Sequence, residues 1–558
     1  MNFISKLIHD DIYNNLKRIF EFLTYTLSYA LRKITFILIK VLLYLNVSFF
    51  SFYHFIISKS GLFKDKSIDL YVFEKINSDS ACGENCLHIA KYLLENNLNL
   101  FKINNNLNSI GILISDKNYL YEVFKILKKD NSLWVEFDSK YGLFSSRLCC
   151  IPDFLISRLL VANNQINFFR RYLSKNNRVI FGSESGCNLE IWLNSEAHYK
   201  LREEYKRKVY KIASLEWLES KKLLLNEKNL NSFKFTSYNT DFPIDIVYTW
   251  VDNNDPKWLK SYNKTLNEFK DSEFLGTSTI ESRFRNLNEL KYSIRSLCMY
   301  GNFFRKIYIV TAGQIPDWLN TENNKVEIID HKEIFDNKND LPTFNSHAIE
   351  SRLHHIEGLS EHYLYFNDDV FIGRPAKPEI FFSNHHYTNY FYSKNTYIGL
   401  NPPNPLDLPV DAAAKNNRDL IHSKFGCIVT EKFLHAPHPQ LKSVLFEVEQ
   451  DFKEILRKTA KNKFRSKDDI SLPSSLYHHY AKLNNKAISG FINYKYIDLS
   501  HNNALGLLND LLNLNNLNRP DVFCINDVDF DSGNKLEFLE KLNNFFESYF
   551  PVKSEFEK

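Results

Sequence analysis

Through the second half of the chain, short apolar runs alternate with stretches of helical spacing. Ile244–Trp250 is a continuous, β-branched run that ends at Val251-Asp252-Asn253-Asn254-Asp255-Pro256, which predicts a buried strand followed by a polar turn. Leu287, Leu290, Ile294 and Leu297 recur at three- and four-residue intervals, the single apolar face of a helix. Lys306–Thr311, Val326–Ile329 and Tyr363–Phe366 supply three more strands. Strands that alternate with helices predict an α/β fold with a mostly parallel sheet covered on both faces. Ligands of such sheets bind beyond the carboxyl ends of the strands, where this sequence carries Asp252, Gly313, Asp330 with His331, and Asp368 with Asp369.

The first half reads differently. Ile110–Ile114, Leu133–Phe137 and Val179–Phe181 are strand-like runs between helical stretches, so residues 63–240 form an N-terminal mixed α/β region without a chemistry-bearing motif. The charged segment Glu203–Lys222 predicts a helix, and the Asn/Ser-rich Asn226–Thr240 predicts a linker. Three segments result: 1–62, 63–240 and 241–558. In the first, Ile34–Ile57 is strongly apolar and follows Arg32 and Lys33, but Lys40, Ser48, Ser51 and His54 interrupt it. With Tyr44 these recur at roughly helical spacing, which favours a helix lying in a membrane interface over a spanning or a buried one. A membrane surface is therefore an expected partner.

Composition narrows the picture only slightly. A chain of 558 residues exceeds one compact core and predicts two to four domains. Its net charge of +4 gives no support for a nucleic-acid partner, and none is expected. The eight cysteines are dispersed, without the spacing of a disulfide framework, which points to a reducing compartment. Cys82 and Cys86 have the spacing of half a metal site, but no matching pair follows, so small buried thiols are expected. Together with the lack of a convincing secretory signal, this places the expected workplace at the cytoplasmic face of the plasma membrane.

The sharpest chemical signal is Tyr363-Leu364-Tyr365-Phe366-Asn367-Asp368-Asp369-Val370. Adjacent carboxylates at the end of an apolar strand need partners, and Mg²⁺ or Mn²⁺ takes carboxylate oxygens while sharing its remaining positions with phosphate. Asp252 and Asp255 supply a second acid pair at the same sheet edge. His435-Ala436-Pro437-His438 is a rigid turn presenting two imidazoles, and Lys463-Phe464-Arg465-Ser466-Lys467-Asp468-Asp469 places a potential phosphate clamp before two acids. Cys524-Ile525-Asn526-Asp527 again sets an acid after an apolar stretch.

The order of these motifs carries more than any one of them. Ile244–Asp252 with Asp255-Pro256 and Trp258 resembles the first sequence block of the Stealth family, which includes bacterial capsule polymerases and the eukaryotic GlcNAc-1-phosphotransferase of lysosomal enzyme tagging. The second block is matched by Ser282-Arg283-Phe284-Arg285, Asn288-Glu289-Leu290-Lys291-Tyr292-Ser293, Lys306–Val310, Gln314-Ile315-Pro316, Leu341–Glu350 and Asn367–Val370. His435–His438 with Arg465–Asp469 is similar to the third, and Cys524–Asp527 with Tyr549-Phe550-Pro551 and Ser554–Glu557 to the fourth. One position departs: Asn286 stands where the family pattern has an acid.

The resemblance implies a nucleotide-sugar-binding catalytic domain that moves sugar-1-phosphate from a nucleotide-sugar, a UDP-sugar for preference, to a hydroxyl of a glycan acceptor. It implies Mg²⁺ or Mn²⁺ on Asp368, Asp369 and Asp527, catalysis by His435, Arg465 and Asp369, and substrate contacts from Asp252, Asp255, Arg283, Arg285, Asn288, Glu289, Asn345 and His347. The rival readings are a metal-dependent glycosyltransferase, which would release a nucleoside diphosphate, and a membrane-docked scaffold without chemistry.

Overall fold

The apolar runs of residues 242–558 become the strands of a central sheet. A computed structural model describes the chain from residue 71 onward apart from several short stretches, the longest being 152–164, 200–210, 270–278 and 527–534. The apolar segment Ile34–Ile57 and Asp527 both lie outside the described residues. Among the described residues, no helix is long and apolar enough to cross a membrane.

Strand β1 is Ile244–Thr249, followed by helices α1 (Pro256–Glu268) and α2 (Glu289–Tyr300). Next come β2 (Lys306–Thr311), β3 (Val326–Asp330), β4 (His362–Phe366) and β5 (Val370–Ile372). Helix α3 (Pro409–Phe425), β6 (His438–Leu441), β7 (Tyr494–Asp498), β8 (Val522–Asn526) and helix α4 (Lys535–Tyr549) complete the labelled elements. The central sheet runs β3-β2-β1-β4-β6. Its first four strands are parallel, and β6 lies antiparallel to β4 at the edge, with Tyr365 opposite His438. Beside it, β5, β8 and β7 form a small sheet in which β8 runs against β5 and along β7.

Both faces of the central sheet are covered, as the near-continuous apolar runs require. Ile246, Tyr248, Ile307, Ile309 and Leu364 pack with α2 and α4, while Val247, Tyr308, Val310 and Tyr363 pack with the helices of residues 442–483. The chain end is clipped to this core. Arg295 is fully buried on α2, and its guanidinium donates to both carboxylate oxygens of Glu557 at 2.8 and 2.7 Å.

The N-terminal region is also α/β. Its main sheet orders Asn99–Lys102, Ser109–Ile114, Cys187–Asn194, Gln165–Phe169, Trp134–Ser139 and Gly142–Arg147, with Ile212–Ala213 beside Cys187–Asn194. Cys82 and Cys86 are buried against it as small apolar side chains on the helix Ser78–Leu94, in accord with the expectation. Two expectations change here. Within Glu203–Lys222, the described part is not one helix: Ile212–Ala213 is a strand, and a separate helix, Leu215–Ser220, starts at the Ser214 cap. Nor is Asn226–Thr240 simply a linker, because Leu230 and Phe235 are buried in the N-terminal core and anchor the segment there.

Candidate active site

Three elements converge on Asp369. The turn after β4 holds its backbone, where Ile525 N donates to Asp369 O at 3.0 Å. Cys524 Sγ and Asn526 Nδ2, both on β8, donate to its Oδ2 at 3.2 and 3.0 Å. His435, three residues before β6, sets its Nε2 3.3 Å from Oδ1. Because β6 runs against β4, the residues preceding it reach past the carboxyl end of β4, and this delivers the imidazole to the carboxylate.

The electrostatics separate the two neighbouring acids. Burial alone would raise the pKa of Asp369, but His435, Cys524 and Asn526 hold it below the usual carboxylate range. At Asp368, burial and the adjacent Asp369 charge outweigh the backbone N–H groups and His435 and raise the pKa to about 7. Glu289, in the first turn of α2, is buried and faces the same pair, so burial and Asp368 raise its pKa as well. Burial would lower the His435 imidazole, yet Asp369, Glu350 and Asp368 carry it above its ordinary value. Three acids thus meet with only one imidazole among them, an excess of negative charge that a divalent cation fits.

Opposite the acids stands a basic wall. Arg465 is fixed by Ser346 Oγ, which accepts from Nε at 3.2 Å and Nη2 at 2.5 Å. Burial lowers the Arg465 pKa, against the pull of Glu350 and Asp469. Partial desolvation and the like charge of Arg465 bring Arg283 down to about 9. Arg283, Arg285, Arg465, Glu289, Asp368, Asp369 and His435 all line one cavity of about 610 Å³. Two cationic forks held this close, against their mutual repulsion, are suited to an anion with several oxygens.

Other residues expected at the site have structural positions instead. Asp255 is the N-cap of α1, accepting from Lys257 N at 2.7 Å and Trp258 N at 3.2 Å ahead of Pro256. Asp252 folds its own turn, accepting from Asn254 N at 2.9 Å and from Asn286 Nδ2 at 3.2 Å. Asn286, the departure from the family pattern, thereby places an amide rather than a second acid beside Asp252. Asn288 caps α2 in a left-handed conformation, φ +67°. Asn345 is fully buried and donates to Asp469 Oδ2 at 2.8 Å and Phe464 O at 3.3 Å. The His347 Nδ1 atom lies 3.5 Å from the same carboxylate. Neither Asn345 nor His347 is among the residues lining the cavity, and both build the loop that carries Arg465.

Sequence reasoning gave no site role to several residues at or beside the cavity. Trp258 sets its ring centroid 5.2 Å from that of Phe284 and 5.3 Å from that of Phe344 in an aromatic wall, and Leu408, Val410 and Tyr496 are half-exposed at its rim. Cys524 and Asn526 touch Asp369 from a strand more than 150 positions away, a contact that no local spacing announces.

Comparison with known proteins bears on these same stretches. Four family models match: Stealth protein CR1, conserved region 1, over residues 242–270; CR2 over 283–390; CR3 over 434–482; and CR4 over 516–558. The exopolysaccharide phosphotransferase CpsY of Mycobacterium leprae is 35% identical over 390 residues, which is 68% of this chain and 69% of that protein. This chain belongs to the Stealth family. Another Stealth relative, the exopolysaccharide phosphotransferase SCO6023 of Streptomyces coelicolor, is 43% identical over 317 residues, covering 57% of this chain and 53% of its own length. CpsY of Mycobacterium tuberculosis is 38% identical over 318 residues, or 57% and 58% of the two chains. The matched stretch thus spans about half the length of the Streptomyces relative. The Stealth regions hold the described site: Arg283, Glu289, Asp368 and Asp369 lie in CR2, His435 and Arg465 in CR3, and Cys524 and Asn526 in CR4.

Proposed function

We propose that this Stealth protein is a capsular polysaccharide phosphotransferase that moves hexose-1-phosphate from a nucleotide-sugar, such as a UDP-sugar, to a hydroxyl of a glycan acceptor. One observation carries the reading: His435, paired with Asp369, opens into the same cavity as Arg283 and Arg465. The acceptor oxygen attacks the β-phosphorus, the bond to the departing nucleoside monophosphate breaks, and the hydroxyl proton passes to the ring nitrogen of His435 that does not face Asp369. Asp369 and Glu350 stabilise the imidazolium so formed. Arg465, locked on Ser346, and Arg283 bind the phosphoryl oxygens and keep them in line with the incoming hydroxyl.

Asp368 and Asp369, with Asp527 from beyond the described residues, would hold Mg²⁺ or Mn²⁺. Such an ion would offset charge on the phosphate oxygens. The excess of acids over cations around Asp368 supports that assignment. We place the reaction at the cytoplasmic face of the plasma membrane, with residues 1–62 docking to the bilayer. Purified protein incubated with a panel of nucleotide-sugars and glycan acceptors tests the proposal. The expected products are a glycan with one phosphorus per transferred sugar and a nucleoside monophosphate. A phosphorus-free glycan with nucleoside diphosphate would replace this reading with the glycosyltransferase one.

A further inference from the structure

Asp369 is shared by two chemically different sets of donors. Its charge acts on the oxygen ligands of Asp368 and Glu289. In contact with it stand a nitrogen and a sulfur: His435 Nε2 is 3.3 Å from Oδ1, and Cys524 Sγ is 3.2 Å from Oδ2. One ligand atom from each of Asp369, His435 and Cys524 lies within 4.8 Å of the other two. Carboxylate oxygen, imidazole nitrogen and thiolate sulfur are the donors that tetrahedral zinc takes, and bond lengths of about 2.0–2.3 Å set such ligands roughly 3.3–3.5 Å apart. The two contacts fall on different oxygens of Asp369, so the 4.8 Å cluster reaches that geometry by a rotation of the carboxylate and a closer approach of nitrogen and sulfur. The three residues come from separate elements, the turn after β4, the segment before β6, and β8, so the donors are brought together by the fold and not by a flexible loop. Asn526, donating to Asp369 Oδ2, holds the carboxylate from behind, as outer partners of metal ligands do. Asp369, His435 and Asn526 border the cavity, so an ion reaches this group from it.

We propose that Asp369, His435 and Cys524 form a second cation site, selective for a thiophilic divalent ion of the zinc class, and that its occupation stops turnover by engaging His435. On binding, the Cys524 thiol releases its proton to solvent, the sulfur pairs with the ion, and no electron moves. Because Asp369 serves both donor sets, zinc and a hard cation compete for it. The inhibitory half of this proposal rests on the reading of His435 given above; the binding half does not.

A second group, His354, His355 and Glu449, also converges, with both Nε2 atoms 3.0 and 2.9 Å from Glu449 Oε2. Arg352 already places a cation 2.5 Å from Glu449 Oε1, and the group contains no sulfur. That difference makes the test specific. Co²⁺ is added to the untagged full-length protein, and the near-ultraviolet sulfur-to-cobalt charge-transfer band is followed, then bleached with Zn²⁺. The wild type is expected to show the band and to lose it at one equivalent of zinc. Cys524→Ser and His435→Asn, checked for fold by circular dichroism, should each bind zinc at least about tenfold more weakly, and C524S should show no band. In Mg²⁺-supported turnover, zinc should silence the wild type, with chelation and fresh Mg²⁺ restoring it. Absence of the band in folded wild type, or unchanged zinc affinity in C524S, overturns the site. A band with turnover untouched by zinc overturns the inhibitory half, and with it the assignment of His435 as the acceptor's base, whereas the product analysis tests the reaction separately.

Discussion

Replacing Asp469 with alanine removes the acceptor around which the Arg465 loop is built. Asp469 is fully buried, and its carboxylate accepts from Asn345 Nδ2 at 2.8 Å, Ser466 N at 2.8 Å and Asn462 Nδ2 at 2.6 Å. A hydrogen bond to a charged group contributes about 1.5–3 kcal/mol, although three bonds to one carboxylate share a single desolvation cost and do not add fully. Alanine also leaves the buried Asn345 amide with Phe464 O as its remaining acceptor and opens a small void. The expected loss is about 3–5 kcal/mol of unfolding free energy, the range for removing one member of a buried charged cluster. Asp469→Asn keeps the volume and one acceptor oxygen, so it should lose roughly half as much. Urea unfolding followed by aromatic fluorescence measures both variants against wild type, with turnover recorded below the transition. Turnover should fall in the folded D469A protein, because Phe464 and Ser466 flank Arg465. A loss under about 1 kcal/mol with unaltered turnover would show that Asn345 and Asp469 do not position the loop.

Four further outcomes are expected. Asp369→Asn should cut turnover at least about a hundredfold, as loss of one electrostatic stabiliser does, and excess chelator should abolish the wild-type rate; full activity in chelator would remove the metal assignment. Glu289→Gln relieves repulsion with Asp368, so the apo protein should gain stability at pH 8 while its Mn²⁺ affinity, read by titration calorimetry, falls; unchanged affinity would place Glu289 outside the cation site. Burial lowers His478 to about 3 and His479 to about 4, whereas the unfolded chain protonates both near 6.5, so stability should fall on acidification below that value, by roughly 2 kcal/mol per imidazole at pH 5. His479→Gln should flatten that slope in urea midpoints measured from pH 7.5 to 5; an identical slope would assign the acid sensitivity elsewhere. Removal of residues 1–60 should move the protein from the membrane pellet to the supernatant, and a truncated form that still pellets would place the anchor elsewhere.

What was legible in the sequence follows from the kind of interaction involved. The central sheet could be read because strands buried on both faces write themselves as apolar runs, and Asp368 and Asp369 stood out because an apolar strand has no packing use for paired acids. Asp255 was legible for a different purpose than the one expected of it: Asp-Pro ahead of a helix is a capping signature, and the N-cap engages its Oδ1. Its expected partnership with Asp368 and Asp369 passes to Glu289, which the family resemblance had assigned to a substrate contact. Cys524 and Asn345 were visible as motif members, but their contacts were illegible because their partners are set by tertiary register, 155 and 124 positions away. The segment after Asn226 looked like a linker by composition, since isolated apolar residues such as Leu230 and Phe235 have no periodicity to announce their burial.

The reversal of β6 explains how an imidazole from one region of the sequence meets a carboxylate from another. In a parallel sheet every strand presents its carboxyl end at the same edge, so residues that precede a parallel strand emerge at the opposite edge, away from ligands. His435 precedes β6 and still reaches Asp369, because pairing Tyr365 with His438 turns the amino end of β6 toward the carboxyl end of β4. That pairing must hold its register, since a slip of one residue would turn each side chain of the strand to the other face. The buried imidazole of His438, whose Nδ1 lies 3.0 Å from His478 Nε2, pins the strand at its first residue, and Tyr477 Oη accepts from Leu441 N at its last. Pro439 is tolerated within β6 only because the strand lies at the sheet edge, where a missing N–H costs no ladder partner. The same residues that make β6 a poor central strand therefore fix it as an edge strand, and the edge is the position from which His435 can overhang Asp369.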